Sequence, residues 1–258
     1  MDEAHEHERA HGHEHRIAER PRVLVFFDYA CPFCYVDQHR FDALEADSDL
    51  DFDVFLVPFE LRPELPEEGI DLSEIGTGHS ERVDKYLERT AEKEGFPFTQ
   101  PALLPNTHRA LVLGELARDL GDALHRAVHA AVFEAYFGEG RDIGSAGVLI
   151  EVASELGIDE DELVRAWDEG TYDERLHQFR HVALHLGLDA TPAALICNEL
   201  FIGSRPAGVL REALERCDSH LEAGRAGVSG ATNGHPPLGT GDDSDTEEHA
   251  TRAEAVES

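Results

Sequence analysis

Lysine, cysteine and long apolar runs are all scarce in this chain of 258 residues. Lys85 and Lys93 are the only lysines, against 20 arginines. Four cysteines in so long a chain are too few to form a disulfide scaffold. No run of about 18 apolar residues occurs, which excludes a membrane-spanning helix. The first 20 residues also lack the apolar stretch of a secretory signal, and we therefore expect a cytoplasmic protein.

What the chain has in excess is negative charge. The formal net charge is -32, and about -24 of it falls on residues 21–222. Such a surface repels phosphates, which excludes nucleic acid as a partner. It is typical of a protein from a high-salt cytoplasm, where salt screens the self-repulsion of the chain. An ordinary acidic protein in dilute salt is the alternative.

Both ends of the chain are predicted to be disordered. Residues 1–20 are rich in His and Glu without periodicity, and residues 223–258 combine Gly, Ser, Thr, Asp and Glu with few large apolar side chains. Neither segment can form a core. Alternating histidines in the first segment suit transition metals, although a solvated tail with incidental metal affinity is the simpler interpretation. These histidines are His5, His7, His11, His13 and His15.

The folded part begins with a strand-helix-strand unit. The continuous apolar run over residues 22–28 predicts a central strand buried on both faces. A helix follows, with Pro32 near its first turn. Residues 52–59 predict a second strand, and the intervening helix favours a parallel pair with a right-handed crossover.

From residue 61 to about residue 186 the pattern becomes helical, without a strand. Five helices are predicted, over residues 106–120, 123–136, 145–156, 160–169 and 172–186. Two short strands over 193–197 and 200–202 then flank Asn198-Glu199 as a hairpin turn, and a helix with proline at its start covers 206–217. The fold class is therefore α/β. We predict a discontinuous domain of residues 21–60 and 187–222, interrupted by a helical insertion over 61–186.

The run Cys31-Pro32-Phe33-Cys34 lies where the first strand ends and its helix begins. This spacing places both thiols on one helical turn, close enough to form a disulfide. The unpaired amides of the helix N-terminus favour a thiolate at Cys31. Cys34 lies one turn further in and is predicted to be the resolving thiol. A mixed disulfide at Cys31 would be the intermediate of exchange.

Two other interpretations of this cysteine pair remain open. A zinc site would need a second pair of ligands, and Cys197 and Cys217 are 20 residues apart, which is not a zinc-knuckle spacing. The thiols could also be coincidental core residues, but their position between strand and helix favours redox chemistry.

Thr191-Pro192 precedes the strand predicted at residue 193. Proline is tolerated there because its missing amide falls at the end of the ladder. If the Thr191-Pro192 bond is cis, the Thr191 backbone would lie beside the thiols and could pair with an extended substrate peptide. A trans proline that ends a loop is the alternative.

Four segments together resemble the DsbA-like thioredoxin family, and most of all its FrnE branch of cytoplasmic dithiol-disulfide isomerases. The branch is related to 2-hydroxychromene-2-carboxylate isomerases and kappa-class glutathione transferases. The resemblance covers about residues 22–217. The segments are FFDYACPFCYV, PFELRPELPEEG, FEAYFGEGRDIG and the strand after Pro192.

This resemblance implies a thioredoxin-like fold with a helical insertion, a nucleophile at Cys31, a resolving thiol at Cys34 and a cis proline at Pro192. Phe33 stands where many FrnE-like proteins have Trp, and Thr191 where they commonly have an aliphatic residue. Pro32, Phe33, Thr191 and Pro192 would bind substrate. Relatives that use glutathione usually carry serine in place of the first cysteine, so Cys31 favours dithiol chemistry.

Other polar residues are given simpler interpretations. Cys197 and Cys217 are taken as buried or idle thiols, with a regulatory disulfide as the alternative. Arg109 and Arg141 could line the cleft and bind an anionic thiol, but solvated arginines are the default. No His-Glu-x-x-His pattern supports a catalytic metal. The remaining helical-spaced histidines are His125 and His129, and His177, His181 and His185.

The function predicted from the sequence is protein disulfide oxidation, reduction or isomerisation through Cys31 and Cys34, with no organic cofactor or metal required. Protein thiols and disulfides or small-molecule thiols are the expected partners, and the oligomeric state is left open. The first alternative is a glutathione-transferase-like or hydroxychromene-carboxylate-type isomerase that uses a small thiol. The second is a metal-binding or interaction module built on the histidine-rich tail.

Overall fold

The fold is described from a computed structural model, over residues 20–73 and 81–229. The chain divides into two units, residues 1–222 and residues 223–258. Of the second unit, only the end of one helix is described. The five histidines at positions 5 to 15 lie outside the described residues, as does most of the two predicted tails.

Strands and helices are numbered along the chain. Their order is β1 (Arg22–Phe27), α1 (Pro32–Glu45), β2 (Asp53–Pro58), β3 (Ile70–Asp71), α2 (Glu81–Glu94), β4 (Leu103–Leu104), α3 (His108–Leu120), α4 (Asp122–Phe133), a π-helical turn (Glu134–Gly138), α5 (Ala146–Glu155), α6 (Glu160–Asp168), α7 (Asp173–His185), β5 (Ala193–Ile196), β6 (Glu199–Ile202) and α8 (Ala207–Ser229).

The main sheet has the order β2-β1-β5-β6. Strands β1 and β2 are parallel, as the strand-helix-strand pattern predicts, and β5 and β6 are antiparallel to their neighbours. Successive side chains of a β-strand point to opposite faces of the sheet, so β1 contributes to the packing on both faces. Val23 and Val25 pack with Phe41 of α1 and Leu214 of α8 on one face. Phe26 packs with Ala183 of α7 on the other.

The segment between β2 and β5 is mainly helical, and all five predicted helices are present. The expectation that it contains no strand is wrong, because β3 and β4 form a short antiparallel ladder. Helix α2 was also not predicted. Its fourteen residues are mostly charged, and only Leu87, Thr90 and Ala91 are buried. The division into a discontinuous domain and an insertion over 61–186 stays a prediction.

Strands β5 and β6 form the predicted hairpin, but its turn differs from the prediction by one residue. Ile196 pairs with Glu199, so the two turn residues are Cys197 and Asn198. Cys197 has a φ of 51°, in the left-handed region that two-residue hairpin turns require. Helix α8 extends to Ser229, twelve residues beyond its predicted end at Cys217. No helix among the described residues is long and apolar enough to cross a membrane.

Candidate active site

Cys31 is the N-cap residue of α1, and Pro32 occupies the first turn as predicted. Its φ and ψ of -92° and 112° are extended, which is typical of an N-cap. The Cys34 amide donates to the Cys31 carbonyl over 3.0 Å and closes the turn between the two cysteines. Both thiols are free and buried, with Cys31 7% exposed and Cys34 3% exposed.

The Thr191-Pro192 peptide bond is cis and lies against the thiols. The Cys31 Sγ donates to the Thr191 carbonyl over 3.3 Å. Pro192 in turn accepts a hydrogen bond from the Gly203 amide over 2.8 Å. The structure thus brings together Cys31, Cys34 and Thr191, which are far apart in the sequence.

The surroundings of the two thiols push their pKa values apart. The pKa of Cys31 is lowered, mainly by its hydrogen bond with Cys34. Burial acts in the opposite direction but has a smaller effect. Burial raises the pKa of Cys34 well above its usual value, and its bond to Cys31 adds to this. The Thr191 side chain lowers both pKa values to a smaller extent. Cys31 is therefore the group that ionises first, which suits a nucleophile paired with a resolving thiol.

Asp28 is a buried carboxyl at the end of β1. Burial raises its pKa to about 6, although it accepts hydrogen bonds from the amides of Ala30 over 2.9 Å and Leu61 over 2.6 Å. These bonds fix the chain that leaves β1 and the chain that leaves β2. The Asp28 charge raises the pKa of Cys31 slightly, so its main contribution at this end of the sheet is to hold the two loops.

A groove of about 480 Å³ adjoins the thiols. Phe33 and Pro192 form part of its wall, and the Phe33 ring lies 6.1 Å from the ring of Tyr86. The other lining residues are Arg82, Val83, Thr191, Gly203 and Ser204. An apolar groove beside a reactive thiol can hold the side chain of an extended peptide.

Sequence reasoning missed the α2 side of this groove. Tyr86 and Arg82 come from α2, which was not predicted, and Ser204 follows β6. A signal for the helix was present, since Val83, Leu87 and Ala91 recur every four residues.

The two candidate arginines do not line this groove. Arg109 donates to Glu67 over 2.9 Å and lines a separate cavity of about 540 Å³ beside Trp167. Arg141 pairs with Glu139 over 3.4 Å and with Glu151. Their default interpretation as surface ion-pairing arginines fits both positions better than a role beside Cys31.

The predicted interpretation of Cys197 and Cys217 as idle thiols is wrong. They form a disulfide between the hairpin turn and α8, with Cα atoms 6.0 Å apart. Cys197 is exposed and Cys217 is buried. The alternative that these two cysteines pair is therefore the one that the structure supports.

The histidines at helical spacing lie on two different helices, α4 and α7. His125 and His129 are buried in the helical part, where the His129 ring lies 4.4 Å from Phe27. His181 and His185 lie side by side on α7, with ring centroids 4.3 Å apart and ring planes tilted by 45°. Within residues 20–73 and 81–229, no cluster of three or more His, Cys, Asp or Glu side chains has the geometry of a metal site.

Comparison with known proteins agrees with this geometry. The DSBA-like thioredoxin domain model matches residues 22–215. The chain belongs to this family. As a DsbA-like protein it is 26% identical over 195 residues to the uncharacterized protein YwbO of Bacillus subtilis, a match that covers 74% of this chain and 94% of YwbO.

Solved structures share the DsbA-like fold. A probable DsbA oxidoreductase from Streptomyces coelicolor superposes with a TM-score of 0.69 at 23% identity, covering 86% of this chain and 94% of that one. A 2-hydroxychromene-2-carboxylate isomerase gives 0.64 at 22% identity, covering 78% and 98%. The cytosolic disulfide reductase DsbM of Pseudomonas aeruginosa, solved with GSH, gives 0.54 at 19% identity, covering 80% and 99%.

Proposed function

We propose that this DsbA-like protein is a thiol-disulfide oxidoreductase in which Cys31 is the nucleophile and Cys34 the resolving thiol. The observation that carries the proposal is the position of the Cys31 Sγ at the N-terminus of α1, 3.3 Å from the carbonyl that precedes cis-Pro192. The opposite pKa directions of the two thiols support the division of roles.

The proposed reaction consists of two exchange steps. The Cys31 thiolate attacks one sulfur of a substrate disulfide, forms a mixed disulfide and releases the other substrate sulfur as a thiolate. Cys34 then loses its proton and attacks the Cys31 sulfur, which releases the second substrate thiolate and leaves a Cys31-Cys34 disulfide. Run in reverse, the same steps transfer a disulfide to a substrate dithiol.

The groove supports a polypeptide as the substrate. Phe33, Tyr86 and Pro192 give it an apolar wall, and the backbone of Thr191, whose carbonyl accepts a hydrogen bond from Cys31, lies at its edge. An extended peptide would place its cysteine at Cys31 and a neighbouring apolar side chain in the groove. Among the described residues that line the groove, Arg82 is the one cation, which favours an acidic side chain further along the peptide.

The test is a redox titration followed by mixed-disulfide capture. Equilibration with glutathione buffers should give a two-electron transition that Cys31→Ser abolishes. Cys34→Ser should accumulate mixed disulfides with an unfolded, disulfide-containing protein, and Cys34→Ser/Cys31→Ala should accumulate none. Equal trapping by Cys31→Ser and Cys34→Ser would contradict the assigned roles.

The same capture experiment separates a protein substrate from a small thiol. If glutathione alone forms a stable adduct with Cys34→Ser, and proteins and peptides form none, the glutathione-dependent alternative replaces the polypeptide proposal. Adducts with protein thiols in the presence of excess glutathione would support the polypeptide substrate.

We further propose that the protein works in a concentrated-salt cytoplasm. The net charge of -32 with two lysines supports this, because unscreened repulsion of this size opposes a compact fold. Thermal unfolding should move to higher temperature between low and molar KCl, and a midpoint that stays constant or falls would contradict salt adaptation. The Cys197-Cys217 disulfide is unusual for a reducing compartment, so acid trapping and alkylation of these thiols in cells tests the location.

A further inference from the structure

Arg40 lies on α1, six residues after Cys34, and its guanidinium contacts Ser204, a residue that lines the substrate groove. Arg40 is 5% exposed, so its charge must be matched by nearby groups. Nε donates to Glu94 Oε2 over 2.9 Å, and Nη2 donates to Glu94 Oε1 over 2.7 Å. This two-point contact ties α1 to the end of α2.

A third contact of Arg40 is with the loop after β6. Nη1 donates to Ser204 Oγ over 2.8 Å and to the Arg205 carbonyl over 2.9 Å. Ser204 also donates to Asp37, whose carboxylate lies 3.6 Å from Arg40. One side chain thus holds three segments that are distant in the sequence.

The same three segments form the walls of the groove. Helix α1 contributes Phe33, α2 contributes Tyr86, and the loop contributes Ser204. The loop also carries Gly203, whose amide donates to the Pro192 carbonyl, so the contacts of Arg40 continue to the cis-proline segment.

We propose that Arg40 is a positioning residue for the substrate groove, fixing the separation of Phe33, Tyr86 and the cis-proline segment without touching the reacting sulfurs. This inference rests on the proposed polypeptide substrate. An extended peptide binds more tightly to a groove that is already formed, because ordering a mobile wall on binding costs free energy and weakens the affinity. Lysine cannot replace Arg40, since a single ammonium cannot reproduce the planar two-point contact with Glu94 and also reach Ser204.

The test compares Arg40→Lys with Arg118→Lys. Arg118 is a matched control because its side chain is 14% exposed, it contacts the buried Glu115 at 3.0 Å, and it lies outside the groove. Two probes are used together: a disulfide-containing decapeptide with phenylalanine next to a cysteine, which oxidises the Cys31-Cys34 pair, and dithiothreitol, which reduces the pair again and sustains turnover. Arg40→Lys should raise the KM for the peptide by about tenfold with little change in kcat, and should change the rate with dithiothreitol by less than about twofold. Arg118→Lys should leave both reactions as in the wild type.

Hydrogen exchange supplies a readout that does not depend on catalysis. Arg40→Lys should speed exchange of the Gly203 amide and of α2, and Arg118→Lys should not. If Arg40→Lys does not fold, Ser204→Ala removes the bonds of Ser204 to Arg40 and Asp37 but keeps the bond from Arg40 to the Arg205 carbonyl. It should therefore give the same KM effect in smaller degree.

The proposal is overturned if the two probes slow by the same factor, if the peptide KM is unchanged, or if exchange at Gly203 is unaffected. A wild-type protein inactive with both probes would instead contradict the proposed oxidoreductase function. The exchange comparison would still test whether Arg40 holds the three segments.

Discussion

The two cysteine pairs lie at opposite ends of β5 and differ in almost every physical respect. Cys31 contacts Thr191, just before the strand, and Cys197 follows its last residue. Cys31 and Cys34 share one helical turn as free thiols, whereas Cys197 and Cys217 join a turn to a helix across 20 residues. The hydrogen bonds of the first pair change the pKa values of its thiols and so favour reactivity. The disulfide of the second pair closes a loop of chain and so favours stability of the fold.

The largest expected difference is in catalysis. Cys31→Ser should lower the rate of disulfide exchange by at least about a thousandfold, because no other thiolate replaces the nucleophile. Cys197→Ser should change the rate by less than about twofold, since the sulfur lies at the far end of β5. Reduction of a model disulfide by the two variants checks this. A comparable loss in Cys197→Ser would mean that the two pairs exchange electrons.

Stability should show the reverse order. Removing the Cys197-Cys217 disulfide, as Cys197→Ala/Cys217→Ala, should cost about 3 kcal/mol, the chain-entropy value for a 20-residue loop. Cys31→Ala/Cys34→Ala should cost less under oxidising conditions, because its loop is much shorter. Urea unfolding of the variants, fitted with a common m-value, measures both losses in the free energy of unfolding. An equal loss of stability in the two double variants would contradict a special contribution of the Cys197-Cys217 disulfide to the stability of the fold.

Thiol alkylation as a function of pH should separate Cys31 from the other cysteines. The pKa of Cys31 is lowered and that of Cys34 is raised, so in the reduced protein Cys31 should react with iodoacetamide at a lower pH than Cys34. As pH falls through the pKa of Cys31 its reaction should slow, because the thiolate is the reactive form. Peptide mapping after timed alkylation identifies which thiol reacts. Faster alkylation of Cys34 would reverse the assigned roles.

The smallest expected effect concerns Thr191. Its Oγ1 is buried, and its interaction with Cys31 lowers the pKa of that thiol to a lesser degree than Cys34 does. Thr191→Val should slow alkylation of Cys31 at neutral pH by about two- to tenfold, the equivalent of one hydrogen bond worth about 0.5–1.5 kcal/mol. The same variant should not alter reduction of Cys197-Cys217. An unchanged alkylation rate would show that the hydroxyl makes no contribution.

Sequence patterns predicted most of the fold because apolar spacing and proline positions are local signals. The run before Asp28 and the run around residue 55 each have the length and apolar content of a buried strand, and both strands are present. Helix α2 was missed because its buried face is limited to residues such as Leu87 and Ala91 among many charges. The turn at Cys197 was misplaced by one residue because hairpin register depends on backbone conformation as well as on composition.

The two cysteines of the proposed active site could be named from the sequence, but their surroundings could not. The motif identifies Cys31 and Cys34, and the resemblance suggested Pro192. Nothing local in the sequence predicts that Arg40 contacts Ser204, since the two are 164 residues apart and both are polar. The pairing of Cys197 with Cys217 likewise depends on how the hairpin turn lies against α8. Such long-range polar contacts are specified by tertiary packing, which residue spacing does not encode.

Cys31 and Thr191 are 160 residues apart in the sequence, so their contact is absent from the nascent chain until Thr191 has been synthesised. Synthesis proceeds from the N-terminus at about 5–20 residues per second, so Cys31 leaves the ribosome several seconds before Thr191 exists. Strand β1 also cannot pair with β5 until β5 has been synthesised, because contacts of high sequence separation form late. During this interval the two N-terminal thiols are accessible and lack their partner strand. Protection from premature oxidation must then come from the thiol buffer of the compartment or from a chaperone.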